Sequence, residues 1–431
     1  MKSNKRKKLF FTIFFLISLA ISLLVPYKFE FYRPFFDRVN LTHFKLNHSK
    51  NFNKIYINGT ADWIDFRNAG YCSGLGTYSD PYVIEDLIID GEGIGSCIRI
   101  ENSNVYFRIE NCTLYNSGYD FYYSEAAIML FNVNNSYLTQ NQVFDNFVGV
   151  YSYGFNNSII ENTIVNNQIG ALADGECVIS NNNISNNLCG IFCINYLNIS
   201  HNYINNNDQF GILINWGGYN LIEYNSVEDN NGIGIFLDDS HYNIISNNNC
   251  SNNKGNGIHL EGMIDPWGDP WRSSTNNLIT SNIVNNNFCG IMLNITQENQ
   301  VDNNIINNNK FGGIEVYFSA EIEITNNEIN QNRYGVKIAE SITNNVLQNT
   351  INYNYYGIYL ISSDAIDIIG NTLHYNKKCY IETGECRSID YEDNDCIELP
   401  SDIINWVILL GVISVTSLLG ILILLFRRKR T

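Results

Sequence analysis

The sequence predicts an all-β fold, a right-handed parallel β-helix of about 12 or more coils bounded by terminal transmembrane helices. Three observations carry this. One phrase returns mostly every 20 to 23 residues, a glycine phrase with period-two alternation sits between its copies, and an uncharged run lies near each end of the chain.

The first phrase is an apolar residue, any two, Asn, any one, and another apolar residue. Eleven copies run from Leu138 to Ile368, with Asn141, Asn162, Asn182, Asn202, Asn225, Asn248, Asn282, Asn304, Asn327, Asn349 and Asn371 in the Asn slot. Ile109 opens a twelfth copy with Cys112 in that place. The second phrase is Gly followed by alternating residues, as in "GIFCI" at Gly190, "GIFLD" at Gly234 and "GIYLI" at Gly357. The first and third residues after each Gly are small or aliphatic while the second and fourth vary widely, so one face points in and one out. Short strands separated by Asn and Gly turns describe a coil that climbs one strand spacing per repeat. Asn suits the corners because it tolerates left-handed backbone, and amides stacked at about 4.8 Å can bond to one another as ladders. A leucine-rich solenoid would need a Leu-rich phrase with helical periodicity, which is missing. Handedness follows from the crossover preference of parallel strands.

The ends define the remaining organisation. Residues 1–26 read as a signal peptide or signal anchor, with a basic start and an uncharged run over residues 9–25, and no clear small-residue cleavage site. Residues 27–54 form a linker, 55–376 the β-helix, 377–402 an acidic cap or stalk containing Cys379, Cys386 and Cys396, 403–426 a transmembrane helix, and 427–431 a basic tail. Lys and Arg flank both apolar runs on their outer sides. The expected location is therefore the cell membrane, with an extracellular ectodomain and both termini cytoplasmic unless the first segment is cleaved.

Nine of the 26 Lys and Arg lie in the two termini, so the 17 left face all 43 Asp and Glu and the ectodomain carries −26. Such a surface excludes nucleic acid as an expected partner. The odd count of 11 Cys fits an exported chain with some disulfides and at least one cysteine not paired within it. Ten Asn-x-Ser/Thr sequons are compatible with an extracellular glycoprotein.

The opening segment "GTYSDPYVIEDLIIDG" and the recurring "NxIxNNxxGI" resemble the NosD-like periplasmic β-helix proteins and archaeal surface proteins built on the pectin lyase fold, over roughly residues 55–376. The resemblance implies the fold. It implies function only broadly, since such families include carbohydrate-binding proteins, polysaccharide lyases and hydrolases, and a periplasmic factor for maturing a copper enzyme.

Outward slots of successive coils stack into columns. Asp238 and Glu261 become vertical neighbours, with Phe236, Asp239, His241 and His259 beside them. The one long coil, 33 residues from Gly257 to Gly290, interrupts the rhythm just there with "MIDPWGDPWRSST", so a loop bearing Trp267, Trp271 and Arg272 would overhang the acids. Rings stack on sugar faces and carboxylates accept hydroxyl hydrogen bonds, which makes these residues a candidate carbohydrate site. Calcium on Asp238, Asp239 and Glu261 explains the same acids. Hydrolysis by Asp238 and Glu261 is a third reading, weakened by the absence of the paired Asp, His and Lys/Arg phrases of the pectin-degrading members. No cofactor is required. The sequence expectation is thus a membrane-anchored surface protein that binds glycans or cell-surface proteins without catalysis, with a polysaccharide lyase or hydrolase and a passive envelope spacer as alternatives.

Overall fold

The computed structural model describes residues 50–118, 125–264 and 270–400, with residues 264–272 described as backbone only where they are described. Three parallel sheets run the length of the solenoid. The glycine phrases form a 14-stranded sheet from Ile55–Asn58 to Lys378–Thr383, and the residues opening each Asn phrase form a second 14-stranded sheet from Tyr82–Glu85 to Arg387–Glu392. The third face has eight strands from Lys50–Asn51 to Ser226–Glu228 and five from Ile305–Asn307 to Asp395–Glu398. Single bridges from Ser226 to Asn249, Ile283 and Ile305 carry it across the gap.

The three inward columns meet in one apolar core. Ile235 and Leu237 of the glycine sheet, Ile222 and Ile245 of the second, and Val227 and Val284 of the third are all fully buried. These are the apolar positions of the two phrases, so the repeat places the core directly.

The asparagines do something more specific than turn corners. Asn182, 2% exposed, donates from Nδ2 to the Ile159 carbonyl at 2.8 Å and to Asn202 Oδ1 at 2.9 Å, while its own Oδ1 accepts from the Asn162 backbone N–H at 2.9 Å. The pattern repeats from Asn141 to Asn371, and Cys112 heads the column by donating its backbone N–H to Asn141 Oδ1. The left-handed angle falls on the residue just before: Glu161, His201, Tyr224 and Asn247 have φ of 59°, 57°, 54° and 57°. The two roles expected of one residue are therefore split between neighbours. The strained residue opens the corner at a cost of about 1–2 kcal/mol where it lacks a short polar side chain, and the buried amide beside it offsets this with several hydrogen bonds worth about 0.5–1.5 kcal/mol each. A second ladder, from Asn146 through Asn187 and Asn230 to Asn376, lines the next corner in the same way.

Glycine has a steric reason here. A Cβ on Gly190 would stand 2.5 Å from the Gly211 carbonyl oxygen, and one on Gly335 2.5 Å from that of Gly357. The coils touch backbone to backbone at this column.

The one helix among the described residues is α1 (Gly59–Asn68) in the opening segment. It exists to deliver Trp63, which is fully buried, stacks on Tyr82 at 4.9 Å and donates Nε1–H to Ser103 Oγ at 3.0 Å. At the other end, the stretch expected as a cap or stalk forms a further coil, Lys378–Thr383, Arg387–Glu392 and Asp395–Glu398, crosslinked by the Cys379–Cys396 disulfide. The expected linker likewise gives Lys50–Asn51 to the first coil. The apolar runs at residues 9–25 and 406–426 lie outside the described residues. Among the described residues no helix is long and apolar enough to cross a membrane.

Candidate functional site

The outer face of the glycine sheet carries its own apolar strip. Phe236 stands two residues after Gly234, in register with Leu213 below and His259 above. Phe210, the residue before Gly211, reaches diagonally to stack on Phe236 at 5.3 Å, and the His259 ring follows at 5.0 Å. Ring-to-ring packing of this kind keeps a flat surface in place on an open strand face.

Beside the rings lie the acids. Asp238 and Glu261 are register partners on adjacent strands, and Glu261 is in turn opposite Asn294. Glu261 Oε1 accepts from Asn294 Nδ2 at 2.6 Å, while its Oε2 sits 2.8 Å from His259 Nε2. That last pair is at ion-pair distance but lacks hydrogen-bond alignment. His259 Nδ1 faces Asn256 Nδ2 at 3.4 Å. The Glu261 side chain stays 27% exposed, so its carboxylate is held in place and still reachable. One corner away, Asp239 Oδ1 lies 3.6 Å from His241 Nε2, and His241 Nδ1 is 3.0 Å from Thr275 Oγ1.

The interruption leaves the coil just after Glu261 as a two-stranded antiparallel hairpin, Met263–Ile264 with Pro270–Arg272. Ser274 closes its base by donating Oγ–H to the Glu261 carbonyl at 2.7 Å. Trp267 lies outside the described residues, and so do the side chains of Trp271 and Arg272. Of the sequence candidates, the structure brings together Phe236, Asp238, Asp239, His259 and Glu261.

Sequence reasoning missed Phe210, because the outward columns were counted forward from glycine and the residue before it also points out. It also missed how Glu315, Tyr317 and Lys337 combine two and three coils further on. Glu315 is 5% exposed, accepts from the Tyr317 hydroxyl and lies 3.9 Å from Lys337 Nζ, which also donates to the Tyr317 oxygen. Burial, then the Glu315 charge, pushes the Tyr317 phenol well above its ordinary value, so it holds its proton and acts as a donor.

Among the described residues no group of three or more His, Cys, Asp or Glu could hold a metal ion. A shallow cleft of about 610 Å³ lined by Tyr78, Tyr106, Arg108 and Tyr137 lies on the first coils.

Two family models match the chain. One, described as a right handed beta helix region, covers residues 169–263; the other, described as periplasmic copper-binding protein (NosD), covers residues 271–396. No curated protein sequence matches. Among solved structures, the A-module of mannuronan C-5 epimerase AlgE6 from Azotobacter vinelandii shares 15% identity over 72% of this chain and 91% of that one, at a TM-score of 0.55. The AlgE4 A-module from the same organism shares 15% over 73% and 90%, at 0.41. The Dettilon tailspike protein gp208 shares 13% over 71% and 61%, at 0.40. At such identities the likeness is one of fold alone. With the two family models, the repeat phrases and the parallel sheets in agreement, this chain carries a right-handed parallel β-helix that is NosD-like over residues 271–396.

Proposed function

We propose that this chain is a membrane-anchored surface protein that binds glycans, without catalysis, through the outer face of its glycine sheet. The observation that carries the reading is the run Phe210–Phe236–His259–Glu261–Asn294 across adjacent coils, in which rings lie beside a reachable carboxylate and an amide. Rings of that kind take the apolar face of a sugar, and the carboxylate accepts from its hydroxyls in charge-assisted hydrogen bonds. The paired Asp, His and Lys/Arg phrases of the pectin-degrading members are absent from the sequence, which favours binding over bond cleavage.

A polysaccharide-acting enzyme is the second reading, favoured by one observation. Asp238 and Glu261 sit side by side on strands about 4.8 Å apart, close to the roughly 5–5.5 Å of retaining carboxylate pairs. The AlgE6 module of like fold acts, by its name, on a polysaccharide.

A glycan-array assay on the full chain, with and without calcium and beside an Asp238→Ala, Glu261→Ala double variant, tests this. Binding that the double variant loses is expected. Binding to no glycan in either condition would leave a spacer or a protein-binding role, and sugar release by wild type alone would replace the binding reading with the enzymatic one.

A further inference from the structure

Between Arg108 and Lys254 the chain has no Lys or Arg at all, and from Lys254 to Pro400 it has eight. Six of these, Lys254, Lys310, Arg333, Lys337, Lys377 and Lys378, lie on or beside one corner, where the chain enters the glycine sheet. Backbone hydrogen bonds from Phe288 to Gly255, Arg333 to Phe311, and Tyr356 to Arg333 stack this corner coil upon coil. Aromatic residues alternate with the cations. Lys310 Nζ lies 6.0 Å from the Phe288 ring centre, Arg333 5.9 Å from that of Phe311 and 5.3 Å from that of Tyr334, and Lys377 Nζ 4.2 Å from that of Tyr355. Phe288 and Phe311 are themselves 4.5 Å apart, and Phe288 and Tyr355 are 42% and 45% exposed.

In a chain with 43 acids to 26 bases, a surface cation is expected to meet a carboxylate. Lys337 meets Glu315 and Lys378 meets Glu398. Among the described residues, however, Lys310, Arg333 and Lys377 have no carboxylate in ion-pair contact, and each rests on a ring instead. Lys310 and Arg333 are exposed and Lys377 is half-buried, and each charge is held against a ring without a carboxylate to neutralise it.

We propose that this corner is a second binding edge, for an anionic polysaccharide. Lys310, Arg333 and Lys377 take the carboxylate or sulfate groups, and Phe288, Phe311 and Tyr355 take the sugar faces. The coils climb about 4.8 Å per step, so a linear chain lying along the solenoid axis meets a cation on the first, second and fourth of four steps. That sparse spacing suits roughly one charge per sugar. A nucleic acid fits less well, because its binding rests on neutralising closely spaced phosphates and the rest of this surface is strongly acidic. The edge is separate from the acids at Asp238 and Glu261, and neither site depends on the other.

The test compares polymers that differ only in their charged group. Full-length protein is titrated at low and at physiological salt with dextran, carboxymethyl dextran, dextran sulfate and polyadenylate, beside a Lys310→Gln, Arg333→Gln, Lys377→Gln triple variant and a Phe288→Leu, Tyr355→Leu double variant. The expected result is salt-sensitive binding of one or both charged dextrans, at least tenfold weaker in each variant at an unchanged melting temperature and unchanged in Asp238→Ala, Glu261→Ala. The carboxymethyl and sulfate arms tell which acid group is taken. No binding of either charged dextran at low salt, equal binding by the triple variant, or polyadenylate bound as tightly would overturn the proposal.

Discussion

Asn225→Ala cuts the first ladder at its middle. In the native chain Asn225 Nδ2 donates to Asn248 Oδ1 at 3.0 Å, to the Ile199 carbonyl at 2.8 Å and to the Glu223 carbonyl at 3.0 Å, and Oδ1 accepts from the Asn202 backbone N–H at 3.0 Å. Asn202 and Asn225 are each 2% exposed, so water does not replace these partners. Leaving the Asn202 N–H unpaired costs about 1–3 kcal/mol, and each lost Nδ2 bond adds about 0.5–1.5 kcal/mol. A loss of at least about 2 kcal/mol follows. Asn225→Asp keeps the acceptor but turns a carboxylate toward two carbonyls and the Asn248 Oδ1. Its folded pKa would rise above the unfolded value of about 3.9, so that variant should gain stability as pH falls. Asn247→Gly, one residue before the ladder at φ 57°, is the control and should cost under about 1 kcal/mol. Because a solenoid is stabilised by nearest neighbours, the loss is local and is best read by hydrogen exchange at the Asn202 and Asn225 amides beside a denaturant melt. An Asn225→Ala loss no larger than that of Asn247→Gly would refute the ladder argument.

Other expectations follow from burial. The seven buried thiols are inert in the folded chain: burial pushes Cys97, Cys112, Cys177 and Cys189 up to about 12, so a thiol reagent at mildly alkaline pH should label Cys386 first, Cys72 (raised to about 11) slowly, and the rest only after denaturation. Replacing Cys379 and Cys396 by Ser should loosen the last coil by about 2–4 kcal/mol, seen as faster exchange in Arg387–Glu392. Burial raises the Asp145 carboxyl, so its favourable contribution is present at low pH and lost as pH rises through the raised value. Asp145→Asn should therefore stabilise the chain near neutrality, with the gain vanishing in acid melts.

Much of this was legible because a repeat states its core many times. The apolar slots, the glycine column and the Asp238–Glu261 adjacency all follow from period alone. The split between a left-handed residue and its buried amide partner did not, since both are so often Asn; Tyr224 before Asn225 and His201 before Asn202 show the division only once φ is known. Phe210 was hidden because alternation breaks at the glycine before Ile212, and the corner cations because they belong to no repeated slot. The hairpin lies outside the repeat grammar altogether.

The central claim is that a glycan lies on the rings and carboxylate of the glycine sheet. Hydrogen–deuterium exchange of the full chain with and without an array-selected oligosaccharide tests it most directly. The account predicts new protection in Ile233–Asp238, Ile258–Glu261 and Ile291–Asn294, lost with Phe236→Ala. Protection confined to the second or third sheet, or unchanged in Phe236→Ala, would contradict it.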